Sequence, residues 1–301
     1  MAAATYRKLV YVSLFFVTAI IVTGASVRLS GSGLGCPTWP KCTNDQMIDV
    51  SDPHRATEQI NRLFTGAVGF AVIGAFAGAF RRRPYRRDLA WFGALLIGGV
   101  LLQGVIGGAV VLLELQWQSV ALHFLASFLL LYGNLELLRR ADEPDGARVL
   151  SVSARVRTLT EIVFGLTILV LVFGTLVTGA GPHGGDADVE RLDWPIDNAV
   201  RLHSLTVWAL IAAVIGLIAV ARRDGAAATL ARAEAVLAIG LVQGAVGYIQ
   251  WFNKVPPVLV GIHVLGAAST FIAVSWLRFA SHRVPSPARS PEPIAVETLT
   301  S

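Results

Sequence analysis

Three histidines, His123, His203 and His263, lie inside long apolar stretches of this 301-residue chain, each about one turn past the start of its stretch. An ionisable side chain in such a place is costly and normally faces a bundle interior, where it marks a site. For any one of them the plainer alternative is a hydrogen bond to a neighbouring helix backbone. Three at matched depth point to ligation instead. His203 and His263 belong to the same half of the chain. Two imidazoles facing each other across a helical bundle supply both axial ligands of a haem iron, and the macrocycle buries well among Leu, Val and Phe. No third His, Cys, Asp or Glu falls at that depth in the second half, which sets other kinds of metal centre aside.

In the first half His123 has the place of His263, but Asn61, in EQINRL, stands where His203 stands. One strong ligand leaves an iron with an open face, which suits chemistry better than electron transfer. Glu58 lies one helical turn before Asn61, so its carboxylate either enters the same cavity or sits in a first turn and favours the helix dipole. Both readings stay open here. Arg62 either holds a propionate of a bound macrocycle or marks the membrane interface. Cys36 and Cys42 are the only cysteines, in a Gly- and Pro-rich loop. A disulfide is expected if that loop faces an oxidising compartment, with an exchanging dithiol as the alternative. His54 and His183, in loops, and His282, after the last apolar stretch, are expected to be solvated.

What positions these residues is a set of membrane helices. The chain is 54% hydrophobic and 15% charged, with a mean hydropathy of +0.62, too apolar for an ordinary soluble domain. Eight stretches reach the roughly 20 residues a span needs, at about 8–28, 62–80, 89–112, 119–138, 159–180, 201–221, 230–251 and 258–280. The net charge of +5 arises from short basic runs at the ends of these stretches, which is the positive-inside pattern and not a nucleic-acid footprint. With a cytoplasmic N-terminus, 18 of the 25 basic residues are cytoplasmic. Both termini then face the cytoplasm and the Cys loop faces out. The first stretch lacks a small-residue cleavage site and reads as a retained span.

The halves are duplicates. A shift of 140 places Gln103 on Gln243, Gly107 on Gly247, Val120 on Val260 and His123 on His263, and a shift of 155 places Thr23 on Thr178, Trp39 on Trp194 and Pro40 on Pro195. Four spans per copy give two copies in the same orientation, related by an axis along the membrane normal. The expected fold is all-α, two tandem four-helix bundles with pseudo-twofold symmetry. Residues 1–138 form the N-terminal bundle with the long outer loop, 139–158 a cytoplasmic linker, 159–282 the C-terminal bundle and 283–301 a disordered tail.

The loop Gly-Leu-Gly-Cys36-Pro-Thr-Trp-Pro-Lys-Cys42, the Glu58-x-x-x-Arg62 motif, and His123, His203 and His263 resemble those of the haem A synthase family, over nearly the whole chain. The resemblance implies a membrane oxidoreductase that converts the C8 methyl of haem O to the formyl of haem A, used by cytochrome oxidase, with haem b as electron-transfer cofactor. It implies that His203 and His263 ligate haem b, that His123 binds the substrate haem, and that Glu58 acts near the methyl. The family's Glu-x-x-His-Arg reads Glu-Gln-Ile-Asn-Arg here, so Asn61 stands where a second substrate ligand is common. It further implies a place in the cell membrane beside haem O synthase and oxidase assembly factors, with a homo-oligomer as one form. The competing classes are a b-type electron-transfer cytochrome, which predicts two complete histidine pairs, and a haem transporter or delivery protein, which leaves the Cys loop unexplained.

Overall fold

A computed structural model describes residues 1–285. Its eight helices are α1 (Ala3–Leu29), α2 (Pro53–Arg81), α3 (Arg87–Leu112), α4 (Trp117–Asp142), α5 (Ala154–Ala180), α6 (Ile196–Arg223), α7 (Ala227–Phe252) and α8 (Pro257–Phe279). Each is long and apolar enough to cross a membrane. Within a helix the backbone groups bond one another along the segment, which is what a chain crossing lipid requires. A two-residue pairing of β1 (Val149–Leu150) with β2 (His282–Arg283) is the one sheet among the described residues.

Most helices run past the apolar stretch that signals them, because capping residues are polar and hydropathy does not register them. Thus α2 starts at Pro53 and not near residue 62: the Asp52 side chain accepts from the His54 and Arg55 amides, and Pro53 occupies the first turn, where a missing N–H costs nothing. The first long loop is therefore 30–52, shorter than expected. Likewise α4 continues through Asp142 into residues read as linker, since Arg139 and Arg140 pair with Glu136 one turn back. Ser153 caps α5 by accepting from the Val156 amide. The expected tail begins at Arg283, which instead pairs in β2, and from residue 286 onward that expectation lies outside the described residues. His282 lies in the same strand, half-buried and not freely solvated.

Contacts run α1–α2, α2–α3, α3–α4 and α4–α1 in the first quartet, and α5–α6, α6–α7, α7–α8 and α8–α5 in the second. The quartets meet through α1–α8, α4–α5 and α4–α8. Exchanging the halves leaves that contact pattern unchanged. Lipid tails are as apolar as leucine, so packing rather than burial holds such helices together, and the junction is aromatic. Phe128 and Phe271 meet edge to face at 5.2 Å, and Tyr132 lies 5.6 Å from both Phe164 and Phe279. Each such pair contributes about 0.5–1.5 kcal/mol beyond area. Arg278 joins the halves there, bonding Glu161 at 3.0 Å and the Tyr132 hydroxyl at 2.6 Å. At the opposite end, which carries the long loops, the Gly33 amide donates to the Gly185 carbonyl at 2.8 Å and Arg28 donates to the His183 carbonyl.

Candidate functional site

Cys36 and Cys42 form a disulfide, and both are fully buried. The loop they close is bolted to the start of α2. Glu58, 5% exposed, accepts from the Cys36 amide at 2.7 Å and from Arg62 at 2.6 and 3.0 Å. Arg62 also donates to the carbonyls of Cys36 (2.8 Å), Thr38 (3.0 Å) and Lys41 (3.2 Å). Its donors are thus engaged by the loop and Glu58, which leaves little capacity for a ligand. Of the two readings of Glu58, the structure brings the carboxylate to the wall of a cavity and buries it under the loop. The Glu58-x-x-x-Arg62 spacing is what allows both ends of the pair to reach one loop turn. Asp49 and Arg55 pair at 2.6 Å and hold the far end of the loop.

The cavity has a volume of about 540 Å³, within the usual range for a cofactor-sized ligand. Glu58, Asn61, Gln103 and His123 line it from the first half. Its wall also includes Thr175, His183 and Arg191 from the second half. His183, expected in solvent, is half-buried there and bonds the Val255 carbonyl through its ring at 2.7 Å. His54 is exposed at the start of α2, where its ring meets Ser32 at 3.0 Å. Trp39 of the Cys loop lies over α3, where a Cβ at Gly108 would come within 2.7 Å of the indole. Only glycine admits the ring at that distance.

Buried polar atoms without partners show what the cavity lacks. Among the described residues, Asn61 Oδ1, Gln103 Oε1, His123 Nδ1 and Arg191 Nε are buried and unbonded, and all four residues line it. Such groups cost free energy that a bound polar ligand or metal recovers. The residues therefore suit a ligand that is apolar over most of its area and offers a metal or polar edge to His123 and Asn61.

In the second half the rings of His203 and His263 face each other, with centroids 6.3 Å apart. A metal takes imidazole nitrogen at about 2 Å and the ring centre lies about 1 Å further back, so two imidazoles on opposite sides of one metal have centroids roughly 6 Å apart. The pair matches that separation. His203 Nδ1 bonds the Val170 carbonyl at 3.1 Å, which leaves Nε2 as the nitrogen that could take a metal. Among the described residues, buried His263 Nδ1 has no partner. Each ring rests on a glycine of the adjacent helix: a Cβ at Gly174 would lie 3.4 Å from His203, at Gly247 3.3 Å from His263 and at Gly107 3.4 Å from His123.

Gln103 and Gln243 had no role assigned from the sequence, although the repeat superimposes them. Each donates through Nε2 to the backbone carbonyl of the repeat's histidine, Gln103 to His123 at 3.4 Å and Gln243 to His263 at 2.6 Å. They fasten α3 to α4 and α7 to α8 at histidine depth. Arg28 and Arg191 were also missed, though both carry charge at the end of the molecule where basic residues are scarce.

Fold and site together define a multi-pass helical membrane protein with a facing histidine pair in one half and a cavity bearing the other half's one intrahelical histidine, His123, and a carboxylate. The chain belongs to the Cytochrome oxidase assembly protein family (COX15-CtaA), which matches residues 7–184. It is similar to the Heme A synthase of Geobacillus kaustophilus, with 28% identity over 187 residues, 61% of this chain and 57% of that protein. The Heme A synthase of Shewanella oneidensis is 28% identical over 188 residues, 57% of this chain and 54% of that protein. That of Exiguobacterium sibiricum is 27% identical over 184 residues, 60% of each. The matched stretch thus spans little more than half the length of these relatives.

Proposed function

We propose that this chain is a haem A synthase that oxidises the C8 methyl of haem O to a formyl group. The observation that carries the reading is the inequality of the two halves: a facing pair, His203 and His263, in one and a cavity with His123, Asn61 and Glu58 in the other. A b-type electron carrier has use for two equal pairs and none for a buried carboxylate beside one of them. In this reading His203 and His263 hold haem b in the C-terminal half, and that cofactor supplies a one-electron relay when bound. His123 binds the substrate haem in the N-terminal half.

Glu58 stands on the substrate side as the proton acceptor for the carbon being oxidised. Arg62 and the Cys36 amide orient its carboxylate, and the disulfide-closed loop covers it and excludes bulk water. Asn61, which lines the same cavity with its amide oxygen buried and unbonded among the described residues, would offer a weaker donor than an imidazole to a haem held there. In this reading the protein lies in the cell membrane with both termini cytoplasmic and the Cys loop outside, an orientation supported by the concentration of basic residues at the linker end. Relatives named Heme A synthase support the assignment.

The test is haem extraction and chromatography from cells that make haem O, with and without this protein. A haem A peak that depends on the protein is the expected result, and haem O alone in both refutes the assignment. In purified protein, His203→Ala or His263→Ala should remove the low-spin haem b spectrum. A spectrum unchanged in both variants would sink the ligand pair.

A further inference from the structure

Seven basic residues lie at the loop end of the helices: Arg28, Lys41, Arg55, Arg62, Arg191, Arg201 and Lys254. Arg55 and Arg62 are neutralised by Asp49 and Glu58. Arg28 and Arg191 line the cavity, and among the described residues neither has a carboxylate within ion-pair distance. They also lie close together. Arg28 donates to the His183 carbonyl, while Arg191 donates to the carbonyls of Gly181 and, at 2.7 Å, Thr178. Both guanidinium groups therefore crowd one turn, residues 178–183, at the cavity mouth. Among the described residues Glu58 is the single acidic residue in the lining, and Arg62 already holds it. The mouth thus carries two like charges with no counter-charge, an arrangement that costs free energy unless an anion arrives. Arg191 Nε is moreover a buried donor with no partner among the described residues, and burial pulls this guanidinium below its ordinary value.

We propose that Arg28 and Arg191 form the anion clamp of the substrate site, receiving the carboxylates of an amphiphilic ligand whose apolar body extends down the cavity to His123. This rests on the haem reading above and specifies how that ligand is held: the acid edge lies at the mouth and the ring below it. Planar guanidinium forks suit paired carboxylates better than ammonium groups do. Their bonds to loop carbonyls use some donors of each and fix both heads in place, so little ordering remains when the ligand binds. An acid edge held at the mouth also decides which way round the macrocycle sits in a cavity whose wall is mostly apolar.

The test uses purified full-length protein titrated with iron protoporphyrin and with its dimethyl ester, which keeps ring and metal but removes both negative charges. The signal is the part of the Soret change that His123→Ala abolishes. The natural chain should prefer the diacid by about 10- to 100-fold, the range expected for charge-assisted hydrogen bonds. In R28Q/R191Q that preference should fall to within about threefold of unity with ester affinity unchanged. R28K/R191K, which keeps charge without the forks, should retain part of it. If the double Gln variant folds with its diacid preference intact, or loses diacid and ester affinity equally, the clamp is overturned. Should the Gln variant fail to fold, a folded Lys variant with no diacid preference overturns it as well. Absence of any His123-dependent signal in the natural chain overturns the haem reading and the clamp together. That result differs from the others because it appears before any arginine is changed.

Discussion

Replacing Arg62 with alanine should release the Cys loop while leaving the helices in place. The side chain makes two bonds to Glu58 and three to the carbonyls of Cys36, Thr38 and Lys41. Bonds to charged groups each contribute about 1.5–3 kcal/mol and do not add. The larger effect falls on Glu58. Its side chain is 7% exposed and that of Arg62 19%, so solvent screens the pair little, and removing one partner of a buried pair costs about 3–5 kcal/mol. If that cost is felt as local opening, amide exchange across residues 34–42 should speed up by about 100- to several-thousand-fold. Hydrogen exchange read by mass spectrometry on the detergent-solubilised protein measures it, with α7 amides as the internal reference. The variant E58Q/R62A should exchange more slowly than R62A, because the uncompensated carboxylate is gone. Loop exchange within threefold of the natural chain in R62A would refute the reasoning, as would equal opening in R62A and E58Q/R62A.

Changing Glu58 to Gln should leave the haem b spectrum in place and abolish haem A output in cells that supply haem O; normal output would reduce Glu58 to a loop anchor. Asn61→His should convert the His123-dependent haem signal from high spin to six-coordinate low spin, and an unchanged spectrum would mean position 61 does not face the iron. Gln243→Leu should loosen α7 from α8 and broaden the haem b spectrum, whereas Gln103→Leu should disturb only the His123-dependent signal; identical effects of the two would contradict the separate roles of the halves. Hydrogen bonds from Ser51 and from Arg55 hold the Asp49 carboxyl below its usual range. A depressed folded value gives stabilisation that is present above the ordinary carboxylate pKa of about 4 and is lost as pH falls through the lower folded value. Loosening of segment 43–52, read by hydrogen exchange corrected for its intrinsic pH dependence, should therefore begin only below about pH 4, and onset near pH 6 would point to a histidine.

The eight spans and the matched depth of the histidines were legible because both leave marks at fixed spacing: apolar runs of sufficient length mark the spans, and His123 and His263 fall at the same register under one shift of the sequence. Glu58 and Arg62 were legible as a pair but not in their use, since the carbonyls Arg62 reaches belong to residues more than twenty positions away. The true start of α2 lay in the polar turn at Asp52–Pro53, to which a hydropathy window is blind. His183 and Arg191 were hidden for a different reason. Their own half gives no hint of them, because the loop that carries them crosses to roof the other half's cavity. No local pattern records which neighbour a loop will cover.

That crossing has a genetic corollary. Because Thr175, His183 and Arg191 close a chamber whose floor is His123, and because the Gly33 amide is tied to the Gly185 carbonyl, the duplicated units are no longer interchangeable parts. A gene cut between α4 and α5 would encode two fragments, the first holding its histidine in an unroofed trough. Recombination between the repeats, the usual hazard of tandem duplication, would delete one copy and leave a four-helix chain that lacks a wall of the chamber. Selection against such products would let the copies drift apart in sequence while binding them ever more tightly in structure.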